Sequence, residues 1–447
     1  MYMDIEKTEG QTDAHVPPHI EHYIRSGIAQ AKSLQRRRRR SRLVRLCSGI
    51  ATGCLLLAFV FSVRLSPAVA AYVSHIPGME KFVELIRDDK GLQRAAEHEM
   101  VQDIGTGGSL AGITFTIDQV LTDQKRMLLF YTLKHERSGQ KVGMRKLELF
   151  DASGKEWEHG ASWSSMDVEA NEEQKNRIDI FLPETSEVPD ALTAKVTLDL
   201  DGVELNPPLA ITFPIDHSKY TTFEKKVVPV GKKVTVDGQT FTIEQMTVFP
   251  TQTEVSIRFD PGNSKHIFGF DDLRLVDENG QTYAFWGNGV PTRDNGENGK
   301  VYNLESIYFL EPQKLFLKAN GIRALDRDKL QVVIDAKTQK LVKAPDARLK
   351  LTALRQVDDV VGMDWELEVE EADAHRFIHL GSDITDNQAN KYDYVQGSSS
   401  SRDPARRLQT YSLIYQRLTK NGAPDFYTFT LTDYPARLQG GFTVQVK

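Results

Sequence analysis

The sequence predicts a mainly β protein: tandem sandwich domains, one transmembrane helix near the N-terminus and a short cytoplasmic helix ahead of it. Three observations carry this. From about Ile113 onward apolar and polar residues alternate with period two, the pattern of strands with one buried face. Two well-separated stretches recur at a shift of 126 residues. Leu46–Val63 is 18 residues without a charge, close to the ~20 that span a hydrocarbon core of roughly 30 Å.

Composition sets outer limits. The 447 residues are 40% hydrophobic and 26% charged, an ordinary globular balance with room for roughly two to four domains. The net charge of −6 hides an asymmetry: residues 1–64 hold 11 Lys and Arg against 5 Asp and Glu, which leaves 45 against 57 in the rest. A nucleic-acid binder carries a basic face on its folded part. Here the folded bulk is acidic, so no nucleic-acid partner is expected. Cys47 and Cys54 both lie in the apolar run, which leaves neither a disulfide framework nor a cysteine metal site beyond it.

In chain order, residues 1–42 form a cytoplasmic segment. Its first 16 residues are polar and acidic, a composition that favours disorder. A helix is expected after Pro17–Pro18, where a missing N–H does no harm. Ile20, Tyr23, Ile24, Ile28 and Ala31 fall on one face of it. A lone helix cannot bury that face by itself. Either it lies on the membrane or it docks a cytoplasmic partner. His19 and His22 have no third ligand nearby and read as solvent-facing.

The span is assigned to 43–66. Arg36, Arg37, Arg38, Arg39, Arg40, Arg42 and Arg45 precede the run and only Arg64 follows closely. This asymmetry places the N-terminus in the cytoplasm, with the arginines against the anionic inner leaflet. Ala68-Val69-Ala70 has the small-x-small pattern of a cleavage site. The long region ahead of the run and the intervening Arg64 favour an uncut anchor.

Residues 67–105 are read as a juxtamembrane helical segment, with Met79, Phe82, Val83 and Ile86 at helical spacing and Lys90–Gly91 as its stop. It either packs on the first folded domain or lies on the outer leaflet. Beyond it are three β-units, 106–216, 217–344 and 345–447. GITFTIDQ at 112–119 matches GQTFTIEQ at 238–245, and LELFDASGKEW at 147–157 matches LRLVDENGQTY at 273–283. One offset holding across both motifs marks a duplicated domain. RIDIFLPE at 177–184 is set against ESIYFLEP at 305–312, as though a loop were inserted. Short alternating strands and hairpin turns suggest an immunoglobulin-like sandwich for each unit. The third shares only the strand–break–strand start.

Candidate chemistry is sparse. Asp277–Gly280 and Arg293–Asn298 invite calcium but lack the ligand count of a loop; Asp/Asn-Gly pairs are what tight turns require. His375 and His379 have the spacing of a zinc protease helix, but Arg376 stands where its glutamate belongs. Their surroundings read as strand, which sets them too far apart to share a metal. No nucleophile elbow or phosphate-cradling glycine loop occurs. Gln396–Arg407 reads as a mobile insertion. The expectation is a non-enzyme without a cofactor.

AYVSHIPGMEKFVELIRDDKGLQ at 71–93, directly after an arginine block and one apolar run, resembles the domain of unknown function 4179 family. The close likeness covers about Arg36–Tyr131. The resemblance implies a single-span envelope protein of Gram-positive bacteria, followed by an immunoglobulin-like domain of unknown function. It also implies an anti-sigma regulator whose partner is an extracytoplasmic-function sigma factor. The zinc-binding motif of better-known anti-sigma proteins is absent, so sigma contact rests on the face formed by Ile20 to Ala31. The layout suits a transmembrane regulator sensing an unknown extracytoplasmic ligand. The alternative is a structural or adhesive envelope protein binding cell-wall polymer or another protein.

Overall fold

The computed structural model describes residues 84–136, 140–164, 168, 172–183, 187–284, 290–395 and 398–447. The arginine block, the 43–66 span and the face of Ile20, Tyr23, Ile24, Ile28 and Ala31 lie outside the described residues. Among the described residues no helix is long and apolar enough to cross a membrane. The described residues belong to one compact unit.

The first domain is built from β1 (Val101–Leu110), β2 (Ile113–Thr122), β3 (Arg126–His135), β4 (Val142–Asp151), β5 (Gly160–Trp163), β6 (Glu173–Phe181), β7 (Ala191–Leu200), β8 (Val203–Glu204) and β9 (Leu209–Pro214). One sheet runs β1-β2-β3-β6-β5; in the other, β7 lies between β4 and β9 and also pairs β8. Alternation decides the faces. In β9 every second residue of LAITFP is buried, and Phe115, Ile117, Leu129, Leu192, Val196 and Phe213 fill the core at 1% exposure or less.

The second domain repeats this plan with β10 (Lys226–Val236), β11 (Gln239–Val248), β12 (Thr253–Phe259), β13 (Lys265–Asp271), β14 (Arg274–Asp277), β15 (Thr282–Tyr283), β16 (Thr292–Asp294), β17 (Gly299–Leu304), β18 (Leu315–Ala319) and β19 (Gly321–Asp326). Even the irregularities recur. The β1–β2 register shifts between Asp103 and Thr106 and that of β10–β11 between Pro229 and Lys232. Those of β2–β3 and β11–β12 shift at Ile117/Gln119 and Ile243/Gln245. Each pair of bulges is 126 residues apart, so the duplication extends to features that bend and twist strands. Both first hairpins close on two residues with positive φ, Ala111–Gly112 and Asp237–Gly238, the turn whose twist suits antiparallel strands.

The pairing corrects one sequence alignment. Leu128 faces Asp179 and Glu254 faces Asn303, so RIDIF at 177–181 corresponds to VYNLE at 301–305, not to ESIYF. The alternating apolar pattern fits either alignment; only the cross-strand register separates them.

The third domain contains β20 (Gln331–Asp335), β21 (Lys340–Lys343), β22 (Leu349–Val357), β23 (Val360–Glu368), β24 (Thr385–Asp386), β25 (Tyr392–Tyr394), β26 (Ser399–Asp403), β27 (Leu408–Arg417) and β28 (Phe426–Thr430), and the chain ends with β29 (Phe442–Gln445). Its sheets are β21-β20-β28-β24 and β22-β23-β27-β25, with β26 on β27. Three expectations change here. The boundary at 344 falls too late, because β20 and β21 belong to the third domain. The third unit also does not run to the terminus: β29 pairs β18, and Leu438, Phe442 and Val446 lie in the second domain's core. β29 takes the place that β9 holds beside β7, so the third domain is an insertion between the last two strands of the second. Finally, Gln396–Arg407 is not a loose insertion over its described part. Ser399–Asp403 pairs with Leu408–Ser412 around a turn closed by Arg407 N–H to the Pro404 carbonyl at 3.1 Å.

Asp277 serves a turn. Its Oδ1 accepts from the amides of Asn279 at 2.9 Å and Gln281 at 2.8 Å, and Tyr283 Oη donates to Oδ2 at 3.1 Å. Asp151 accepts likewise from Ser153 and Lys155. Asp386 accepts from Gln388, Asn390 and the Tyr392 hydroxyl. The same aspartate turn, with an aromatic six residues on, thus occurs in all three domains. Arg293–Asp294 belongs to β16, and Asn295 N–H meets the Gly299 carbonyl at 2.9 Å. His375–His379 is irregular chain and not strand, and His375 Nε2 lies 2.7 Å from Asp433 Oδ2. Among the described residues no group of three or more His, Cys, Asp or Glu is placed to hold a metal.

Candidate functional site

A heavily charged buried place lies where a short helix ahead of β1 meets the first two domains. Ile86 is buried, in keeping with the apolar face assigned to 79–86, whose first part lies outside the described residues. Lys90–Gly91 is not a stop. It opens a helix, α1 (Lys90–Glu97), whose N-cap is Asp89. The Asp89 backbone is extended and its Oδ1 accepts from Leu92 N–H at 2.9 Å, satisfying one of the helix's free amides. Gly91 stands there because Ser306 of the second domain abuts it: a Cβ would lie 2.7 Å from the serine Cβ and carbonyl oxygen. Leu92, Ala95 and Ala96 complete the buried face. At the far end His98 stacks on Phe309 with centroids 4.1 Å apart.

Arg126, the first residue of β3, is fully buried. Its Nε donates to Asp179 Oδ1 at 2.9 Å, and Nη2 reaches the same carboxylate. Its Nη1 donates to the Thr251 carbonyl at 3.1 Å and lies 3.5 Å from Asp89 Oδ2. Arg177 holds the other Asp179 oxygen at 3.2 Å and donates to the Leu85 carbonyl at 2.8 Å. One guanidinium thus ties together the helix cap, the first domain and a turn of the second. A buried charge is tolerated only when paired and hydrogen-bonded in this way.

Beside it Asp123, 2% exposed, accepts from the amides of Lys125 and Arg126 at 2.8 and 3.1 Å and from Thr251 N–H and Oγ1 at 2.8 and 2.7 Å. Burial pushes its carboxyl up against these bonds. Burial also raises Asp89, Arg126 opposing less effectively. For Asp179 the two guanidinium groups overcome burial and hold the carboxyl below its ordinary value. The difference follows from geometry, since Arg126 bonds Asp179 closely and Asp89 only at its limit of reach.

Glu305 closes the cluster. It is 5% exposed, its Oε2 has no partner, and burial together with the nearby Asp89 charge pushes it up to about 9. At neutral pH it is therefore a protonated acid beside the helix cap. Asp89, Asp123, Arg126 and Asp179 bind one another or the Thr251 turn and are largely closed to solvent, so the arrangement acts as a joint.

None of these residues stands out in sequence. Arg126 opens the apolar run RMLLFYTL, and a lone arginine starting a buried strand is the one signal that points inward. Asp123 and Thr251 look like ordinary turn residues. The residues expected to contact a partner, Ile20 to Ala31, lie outside the described residues.

Fold and joint define a class: repeated multi-sheet β-domains whose leading helix packs into the seam between the first two. Residues 39–135 match a domain of unknown function (DUF4179), and residues 225–353 match a family of unknown function (DUF5643). The chain thus carries a DUF4179 region followed by a DUF5643 region. The first match ends at the last residue of β3; the second starts at β10 and ends within β22. Among solved structures, the chain is similar to the crystal structure of the conserved domain protein from Bacillus anthracis, at 15% identity and a TM-score of 0.37, covering 55% of this chain and 85% of that one. No curated protein matches it.

Proposed function

We propose that the chain is a non-enzymatic single-pass membrane protein with its N-terminus in the cytoplasm and its β-domains outside, acting as an anti-sigma-type regulator. The cytoplasmic partner is an extracytoplasmic-function sigma factor held by Ile20, Tyr23, Ile24, Ile28 and Ala31. One observation supports this over a passive anchor. The helix soon after the apolar run is capped by Asp89, which reaches Arg126, so a rearrangement of the outer domains acts directly on the chain approaching the span.

The test is the full-length chain carrying Tyr23→Asp and Ile24→Asp, examined for topology by protease protection and for retention of the sigma factor by pull-down. A regulator keeps its topology and loses the sigma factor together with control of its target genes. Unchanged control in a correctly inserted variant refutes this reading.

A second reading, an adhesive envelope protein, draws on a different observation. Of the nine exposed large apolar residues among the described ones, seven (Val342, Val357, Val360, Ile378, Tyr394, Leu418 and Phe426) lie in the third domain, and a concentration of exposed apolar residues is a mark of contact surfaces. In that case the same cytoplasmic substitutions leave function intact.

A further inference from the structure

The seam between the second and third domains holds a cavity of about 410 Å³ that includes Lys300, Tyr302 and Arg323 in its lining. Arg323 lies 9% exposed at its side chain. Its Nε donates to Asp433 at 2.9 Å, and its Nη1 meets Asp271 and the Phe270 carbonyl. Its Nη2 takes no partner and rests above Gly269, where a Cβ would come within 2.9 Å. The glycine makes room for a guanidinium edge that no described residue uses. Lys300 Nζ donates only to the Phe268 carbonyl, at 3.0 Å, and has no carboxylate partner. The Tyr302 hydroxyl, two residues along the same strand and hence on the same face, is buried without a partner. Asp433 is the one carboxylate of the lining, and it is occupied by Arg323 and His375.

A half-buried ammonium, a guanidinium edge and a buried hydroxyl, all short of acceptors, form an unbalanced set in a medium where unpaired donors cost most. The adjoining cavity of about 620 Å³ has the opposite character. It shares Phe270 and Arg323 with the first, and its carboxylates, Asp271, Asp272, Glu370 and Asp373, outnumber its arginines. Asp373 Oδ1 there pairs with Arg437 at 2.8 Å and accepts from His375 N–H at 3.0 Å, while its Oδ2 is buried and meets no described residue. A polyanion is therefore disfavoured along this direction.

We propose that this seam binds a zwitterionic ligand, an oxyanion seated by Lys300, Arg323 and Tyr302 and an ammonium-bearing remainder directed toward Asp373. The site is independent of the cytoplasmic role proposed above.

The experiment is calorimetric titration of the detergent-purified full-length chain with phosphorylethanolamine and, separately, with inorganic phosphate. Saturable binding of both is expected, with phosphorylethanolamine the tighter. Lys300→Met lowers affinity for both by about tenfold or more, the scale of a lost charge-assisted bond, while Lys300→Arg retains it. Asp373→Asn weakens phosphorylethanolamine and leaves phosphate unchanged. Lys300 makes no ion pair, so thermal melting of Lys300→Met serves as the folding control. No saturable binding of either probe overturns the proposal, as does unchanged affinity in a folded Lys300→Met variant. Equal effects of Asp373→Asn on both probes overturn the zwitterion assignment.

Discussion

Asp123 and Thr251 join the first two domains through equivalent turns: the carboxylate in the β2–β3 turn takes both the amide and the hydroxyl of a threonine in the β11–β12 turn, at 2.8 and 2.7 Å. The duplicated units therefore meet through the same turn of each, with different residues at the contact. Duplication supplied the scaffold, and divergence at one turn made its two copies complementary.

Removing that carboxylate strands several buried donors. Asp123→Ala is expected to cost about 3 kcal/mol, in the range for breaking a buried charged hydrogen-bond set. Thr251→Val, which removes only the hydroxyl, costs about 1 kcal/mol. Urea unfolding midpoints decide this, and an Asp123→Ala midpoint equal to the parent's rules out the joint as a stabilising contact.

Gly91→Ala places a methyl group against the Ser306 backbone, with contacts of 2.7 and 2.8 Å. Overpacking of this kind costs about 1–3 kcal/mol. The cost falls on the seating of α1, so faster proteolysis near residues 84–100 accompanies the lower melting temperature.

Glu305 gives the joint a pH dependence with a definite sign. Its carboxyl is raised from an ordinary 4.5 to about 9, so over that interval the folded chain holds a proton that the unfolded chain has released. The stability contributed by this group is fullest below about 4.5 and declines as pH rises toward 9, by at most about 1.4 kcal/mol per pH unit. Glu305→Gln keeps the neutral shape and flattens the decline. Melting temperatures measured between mildly acidic and alkaline pH test this; parallel profiles for parent and variant refute it.

The C-terminal strand tests the insertion topology. Because Phe316 pairs Gln445 and Ala319 pairs Phe442, deleting residues 442–447 opens an edge of the second domain and uncovers its core. The third domain keeps its own core, which includes Trp365 against Phe429 at 5.4 Å. Hydrogen exchange is expected to rise in β14 and β18 and to stay low in β23 and β27. Protection lost first in the third domain contradicts the assignment.

Much of this fold was legible in advance. Alternation and the 126-residue shift identified the β-units, and the Asp-x-x-Gly turns are the turns expected, because both depend on residues close in sequence. Three features escaped. RIDIFLPE was set against the wrong partner because apolar alternation is degenerate to small shifts. Lys90–Gly91 looked like a helix end because glycine usually marks one; here it is required by Ser306, which lies 215 positions away. The ownership of β29 was invisible because a strand carries no local mark of which sheet it completes.

What the sequence determined alone was the period of its elements, the duplication and the charge asymmetry around Leu46–Val63, each a property of neighbours along the chain. Tertiary structure decided which carboxylates share a guanidinium, that Glu305 holds a proton, and that a whole domain sits between two adjacent strands. These depend on burial and on contacts across 50 to 200 residues, such as Arg126 with Asp179 and Asp123 with Thr251. A charge takes its energy from the medium and the partner that folding provides, and neither is written beside it in the chain.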